Sequence, residues 1–516
     1  SNVTYRLALR KDQADGFRKN LYLKRSDTSR KDETTSRLKV NWQLADNTKI
    51  KLLISQVDLD DPADIWTVDG SLNTLSDRPG MDSQKTNSYG IKIFHSFDGF
   101  EFQSFTSSTD TDVIFSYDAD WGNADSHFPY VYDYFSETFR DRKLFNQEFR
   151  AVSDSANFLK DSFLEWVIGA NYLELKETNL KKDDGLYGDP SDPYGPYASA
   201  SSSSSRYKSS NFSVFGNLDY LLSASLKFSI GLRWEDWEAD YSDSLNELFN
   251  PADKMSGGKI SLIKSMTNET NIYASLAKGY KQGGFNLGLG LDANSTNQNL
   301  AYDPEFLTNY ELGINTKLLD SKINFNGVIF YSYREDQQVL ISSQTDPSDP
   351  NTFSFLTQNA AEGVNHGLEI NMDIDIRESL SAFLNLGMLK TEIKNWQSRQ
   401  DLEGRAQAHA PEKSYALGLN WAPTSDTYLA IDFTGKSSFY YSDSHNNKSK
   451  SYVLTNLNLG YVKNNWSYEL WARNVFDEYY SVRGFYFGNE APNFIDTLYE
   501  RHGDPRNIGF SIRYDF

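Results

Sequence analysis

The sequence has no cysteine at all, so disulfides, iron–sulfur clusters and thiolate-held metals are excluded. It also has no long hydrophobic run. Apolar residues make up 39% of the chain, mean hydropathy is −0.60, and nothing approaches the roughly 18 apolar residues of a membrane-spanning helix. Positive charge is short as well: 51 Lys and Arg against 71 Asp and Glu give a net charge of −20. That balance argues against nucleic acid as a partner. No signal peptide or initiator Met precedes Ser1, so a processed or truncated chain is expected.

Aromatic residues are abundant instead, with 33 Phe, 32 Tyr and 10 Trp. Period-2 alternation recurs along most of the length. Leu38, Val40, Trp42 and Leu44 alternate with Arg37, Lys39, Asn41 and Gln43. Leu226, Phe228, Ile230, Leu232 and Trp234 alternate with Lys227, Ser229, Gly231, Arg233 and Glu235. Leu368, Ile370, Met372, Ile374 and Ile376 do so against Glu369, Asn371, Asp373, Asp375 and Arg377. Successive strand side chains point to opposite faces, so each run has one apolar and one polar face. The chain ends on such a strand: Ile508, Phe510, Ile512, Tyr514 and Phe516 share a face against Gly509, Ser511, Arg513 and Asp515. A soluble sandwich strand and the closing strand of an outer-membrane barrel both fit that segment alone.

The connections decide between them. Tight turns fall at Asn47-Thr48, Asp98-Gly99, Ser223-Ala224, Thr267-Asn268, Asp320-Ser321, Glu378-Ser379, Thr424-Ser425 and Lys463-Asn464. Between them lie long polar loops at about 12–32, 60–86, 109–138, 178–207, 241–254, 282–305, 335–353, 396–411, 443–449 and 482–504. Alternating short and long links mark outer-membrane barrels, with short periplasmic turns and long extracellular loops. The fold class is therefore all-β: a large antiparallel transmembrane β-barrel of about 20 visible strands, occupying residues 1–516 as a single domain. The serine-rich segment 198–205 reads as a mobile extracellular loop.

Several stretches resemble TonB-dependent outer-membrane receptors of the iron-complex group. They are residues 146–153 (NQEFRAVS), 209–220 with 228–236, 273–286 (YASLAKGYKQGGFN), 302–305 with 309–317, 359–370 (NAAEGVNHGLEI), 472–480 (ARNVFDEYY) and the terminal strand. They occur in the family's order from about residue 140 onward. The resemblance implies a 22-stranded barrel, a plug domain and a TonB-binding box. The plug, the box and the first hairpin are expected to be missing from this chain. It also implies uptake of a ferric siderophore or another scarce small ligand, no enzyme activity and no resident cofactor. Expected partners are TonB (through the missing N-terminal part), outer-membrane lipid and lipopolysaccharide, and the barrel assembly machinery, for which Phe516 is the expected signal. The location it implies is the Gram-negative outer membrane. A passive porin-like channel and a soluble secreted glycan-binding protein remain as alternatives.

Candidate ligand contacts come from two residue types. Aromatic rings on loops suit flat ligands. Trp121, His127, Tyr130 and Tyr132 stand in loop 118–135, and Phe485 and Tyr486 in the last loop. Lys281, Gln282, Phe285 and Asn286 open another loop, where Gly283-Gly284 suits either a rim bulge or close ligand approach. The six histidines lack metal-site spacing, and the acidic clusters around Asp58 and Asp183 lack that of a calcium loop. No metal site is expected. No catalytic motif appears.

Overall fold

The computed structural model describes residues 2–153, 164–244, 246–286, 301–344, 353–359, 362–396 and 399–516. Its principal sheet has 21 strands. Setting aside the two-residue Leu248–Phe249 leaves 21 − 1 = 20 long ones. These are β1 (Val3–Ala14), β2 (Lys31–Ala45), β3 (Thr48–Pro62), β4 (Met81–Phe97), β5 (Phe100–Asp118), β6 (Val131–Ser153) and β7 (Leu164–Gly188). Then come β8 (Tyr197–Ser223), β9 (Leu226–Asp243), β10 (Ala252–Ser265), β11 (Thr270–Lys281), β12 (Glu305–Leu318), β13 (Ile323–Glu335) and β14 (Glu362–Arg377). The last are β15 (Leu380–Lys394), β16 (Lys413–Thr424), β17 (Thr427–Lys436), β18 (Tyr452–Lys463), β19 (Trp466–Arg473) and β20 (Asn507–Tyr514).

Each strand pairs antiparallel with the next, from β1–β2 to β19–β20. All eight tight turns fall between the strands that the sequence pattern predicts. The alternation is realised as an apolar exterior. Leu232 is 65% exposed on β9, and Ile508 and Phe510 are 63% and 60% exposed on β20. Strand side chains of this kind need an apolar surrounding, which a bilayer supplies.

Strands β5 to β9 run 18 to 27 residues, well beyond the roughly 9–11 needed to cross a bilayer. The excess stands on the long-loop side and corrects two loop expectations. Residues 198–205 are not a loop but part of β8, paired residue for residue with 179–186 of β7. Serine side chains neither favour nor block a strand, and the ladder to β7 satisfies the amides that face it, so pairing prevails. Loop 178–207 shrinks to 189–196, and loop 109–138 to 119–130.

Among the described residues, β1 pairs only with β2 and β20 only with β19. The sheet nevertheless curls round, because loops from its two ends meet. Tyr479, after β19, donates its hydroxyl to the Gly70 carbonyl between β3 and β4 at 2.5 Å.

Candidate functional site

The long-loop end is closed by packing between loops far apart in sequence. One knot is polar. The buried Asp64 carboxylate accepts hydrogen bonds from Asn20 Nδ2 (3.1 Å), Thr74 Oγ1 (2.6 Å) and the Thr28 hydroxyl, joining loops 15–30 and 63–80. Such a carboxylate resists burial unless donors surround it, so the knot fixes both loops.

The second knot is aromatic. Trp66 stacks on Phe485 at 4.4 Å between centroids and on Trp121 at 5.4 Å. Trp121 meets Tyr499 edge-on at 5.0 Å, and Phe353 lies 4.6 Å from Phe487. Residues Ser481–Phe487 and Thr497–His502 form a hairpin that carries one side of this cluster. The two aromatic loops singled out in the sequence are thus brought together, and loops 63–80 and 353–359 join them. Sequence reasoning missed Trp66, the one aromatic of loop 63–80, and Phe353, in a segment with no strand-length alternation. Tyr132 is 3% exposed, lies 5.6 Å from the His127 ring and 5.5 Å from Phe494, and donates to Asn489 Oδ1 at 3.5 Å. Tyr130 is half-buried nearby and donates its amide to the His127 carbonyl at 2.9 Å.

The residues 281–286 form a separate group. Phe285 is buried with Trp237, Tyr241 and Met255. Gln282 accepts from Asn211 Nδ2 at 2.9 Å, and its carbonyl accepts from Gln338 at 2.8 Å. Asn286 exchanges side-chain hydrogen bonds with the Thr357 backbone. A Cβ on Gly283 would come within 2.6 Å of the Tyr302 carbonyl oxygen, so close backbone approach requires glycine there. Lys281 is exposed at the end of β11.

A cavity of about 290 Å³ lies between these groups, lined by Arg334, Gln338, His409, Tyr441, His445, Arg483 and Phe485, among others. Tyr486 sits beside it, 5.5 Å from the His445 ring. Arg483 stands directly opposite Arg501 across the hairpin. Like charges in that register repel. The arginine ion pairs nearest them, Arg334–Glu305, Arg399–Asp401 and Arg405–Asp443, leave both out. Burial, and then Arg501, pushes the Arg483 pKa down; burial and Arg501 do the same to Arg18. His445 is held down to about 4 by burial and by Arg405, and His409 is lowered by burial and Arg483. At neutral pH the cavity therefore presents a guanidinium without a carboxylate partner, neutral imidazoles and an aromatic edge. Its chemistry is that of an anion-accepting pocket: the Asp443 carboxylate in its wall is taken by Arg405, and among the described residues no three His, Cys, Asp or Glu gather as a metal set. Sequence reasoning missed Arg483; the signal that could have found its strand is the Arg-x-Phe-x-Phe alternation of 483–487 inside the last loop, whereas its opposition to Arg501 comes only with the hairpin register.

Residues 52–475 match the family described as "TonB dependent receptor-like, beta-barrel". Among curated relatives, the pesticin receptor of Yersinia pestis is 23% identical over 269 residues, covering 50% of this chain and 36% of that protein. The ferric-pyoverdine 358 receptor of Pseudomonas putida is 22% identical over 377 residues, covering 68% and 42%. The chain spans less than half the length of these relatives. Among solved structures, the ferric yersiniabactin uptake receptor FyuA of Yersinia pestis superposes with a TM-score of 0.79 at 16% identity, over 100% of this chain and 75% of that one. The siderophore receptor PiuA of Acinetobacter baumannii gives 0.74 at 16%, over 99% and 77%.

Proposed function

The chain belongs to the TonB-dependent receptor family, a family of outer-membrane β-barrels, and from that premise we propose that it serves TonB-dependent uptake of a ferric siderophore. The ligand would enter at the loop end and lodge against the cavity that carries Arg483, His409, His445 and Phe485. That cavity is the observation that carries the reading. Ferric siderophore complexes are commonly anionic and carry flat chelating rings, and a guanidinium without a carboxylate partner beside an aromatic edge suits both properties. Of the residues expected from sequence, Phe485 and Tyr486 border this cavity. Trp121, His127, Tyr130, Tyr132 and Phe285 support it by fixing the loops, Gln282 and Asn286 by hydrogen bonding across them, and Lys281 offers a free charge at the rim.

Transport needs more than this barrel. The reading places a plug in the lumen and a TonB contact outside these residues, and takes the gap between β1 and β20 as the place of a further hairpin. Supporting it, among the described residues no strand ladder forms on the outer side of β1 or β20, and lipid cannot hydrogen-bond a strand edge. The test is growth of a deletion strain on a panel of ferric siderophores as sole iron source. Loss of growth on one of them, restored by the gene, supports the reading; equal growth on all with and without the gene rejects it.

A further inference from the structure

Where β5 runs into loop 119–130, two carboxylates are buried together beneath loop 63–80. Asp118 is 7% exposed and Asp120 1%. Asp120 is held by the backbone: its Oδ1 accepts from the Gly122 amide at 2.9 Å and its Oδ2 from the Tyr134 amide at 2.7 Å. Asp118 has no such support, since neither of its oxygens has a donor. The Ser76 hydroxyl, 1% exposed, faces Asp118 and pulls its pKa down slightly, but the geometry falls short of a full hydrogen bond. Asp77 Oδ1 is a further buried oxygen lacking a partner, at the margin of the group. Burial, and then the charge of Asp120, pushes the Asp118 pKa up; burial raises that of Asp120. Arg78, the basic neighbour of Asp77, is drawn away to Asp184 at 2.6 Å and over the Phe135 ring at 4.2 Å.

Three buried oxygens, both of Asp118 and the Ser76 hydroxyl, thus lack partners side by side. A proton shared between the carboxylates would serve one or two of them, whereas a divalent cation serves all. The donors are oxygens only, so soft or imidazole-preferring metals do not fit. Among the described residues, no three His, Cys, Asp or Glu side chains gather as a metal set by themselves. The Ser76 hydroxyl is therefore an essential part. Loop-borne oxygens of adaptable geometry suit calcium better than magnesium, which demands a rigid octahedron.

We propose that Asp118, Asp120 and Ser76 bind a calcium ion that clamps loops 63–80 and 119–130 together. The clamp reaches the last loop too, because Asn489 Nδ2 donates to the Asp120 carbonyl at 3.4 Å.

The test uses the full-length receptor in detergent, stripped with chelator, with Tb³⁺ luminescence excited through Trp121, next to Asp120 in the chain. Ca²⁺ is expected to displace Tb³⁺ at roughly 10⁻⁴–10⁻³ M, the range of extracellular calcium modules, with Mg²⁺ much weaker. Asp118→Asn is expected to weaken calcium binding at least about tenfold, and Asp189→Asn, at the hairpin tip, to leave it unchanged. Ser76→Ala keeps every charge, so it tests the site even where Asp118→Asn perturbs folding; a severalfold loss is expected. Failure of Ca²⁺ to displace Tb³⁺, or wild-type affinity in both Asp118→Asn and Ser76→Ala, overturns the proposal and leaves the pair sharing a proton.

Discussion

The indole of Trp66 lies stacked on the ring of Phe485 with centroids 4.4 Å apart, although one residue belongs to the β3–β4 loop and the other to the β19–β20 loop. This contact holds the two ends of the sheet together at the extracellular rim, where no ladder joins β1 to β20 among the described residues. Replacing Trp66 by Ala removes a large ring from the cluster and is expected to destabilise the loop roof by about 3–5 kcal/mol. Hydrogen exchange should rise in residues 63–80 and 481–502 and stay unchanged in β12 to β16. Uniform exchange across the whole barrel would contradict this division.

Gly283 tests the second group. Gly283→Ala puts a Cβ against the Tyr302 carbonyl oxygen, and overpacking of this kind costs about 1–3 kcal/mol. The expected outcome is faster proteolysis around residues 301–305 with the barrel intact on gels.

The strand pattern was legible almost throughout, and the reason is local. Alternation in Ile508–Phe516 or Leu368–Ile376 records a two-faced environment, and short turns such as Asn47-Thr48 allow little freedom in register. Residues 178–207 misled because their hairpin stands above the membrane, where no apolar face is required and serine can pair as well as valine. The site was legible only in part. Trp121 and Phe485 stood out as aromatic, but their partner Trp66 stands alone in its loop, and the Arg483–Arg501 opposition exists only once the hairpin register is set. Asp118 and Asp120 looked like two more acids among 71; burial alone distinguishes them.

Arg483→Ala is expected to separate ligand affinity from stability. Removing one of two opposed guanidiniums relieves repulsion across the hairpin, so the roof should not weaken. Binding of an anionic ferric complex should fall about 10- to 100-fold, as for loss of a charged hydrogen bond worth roughly 1.5–3 kcal/mol. Equilibrium titration with the purified receptor measures both. Unchanged affinity would remove this cavity from the binding site.

Acid should loosen the loop that carries His445. Its imidazole is neutral in the folded roof, with a pKa of about 4 set by burial and by Arg405, against about 6.5 when the loop is open. The open form therefore binds more protons between these values. Stability is full above about pH 6.5 and is lost as pH falls toward 4. Arg405 also pairs with Asp443 at 3.0 Å, and His409 shifts in the same direction. Hydrogen exchange in residues 437–451, corrected for intrinsic rates, should rise across that window and rise less in His445→Gln.

The account rests on energised transport through this barrel, and uptake of radiolabelled iron as the active ferric siderophore measures it. Cells carrying the gene should accumulate label, and cells lacking either the gene or TonB, or treated with a protonophore, should not. Accumulation that persists without TonB and without a proton gradient would make the barrel a passive channel and contradict the account.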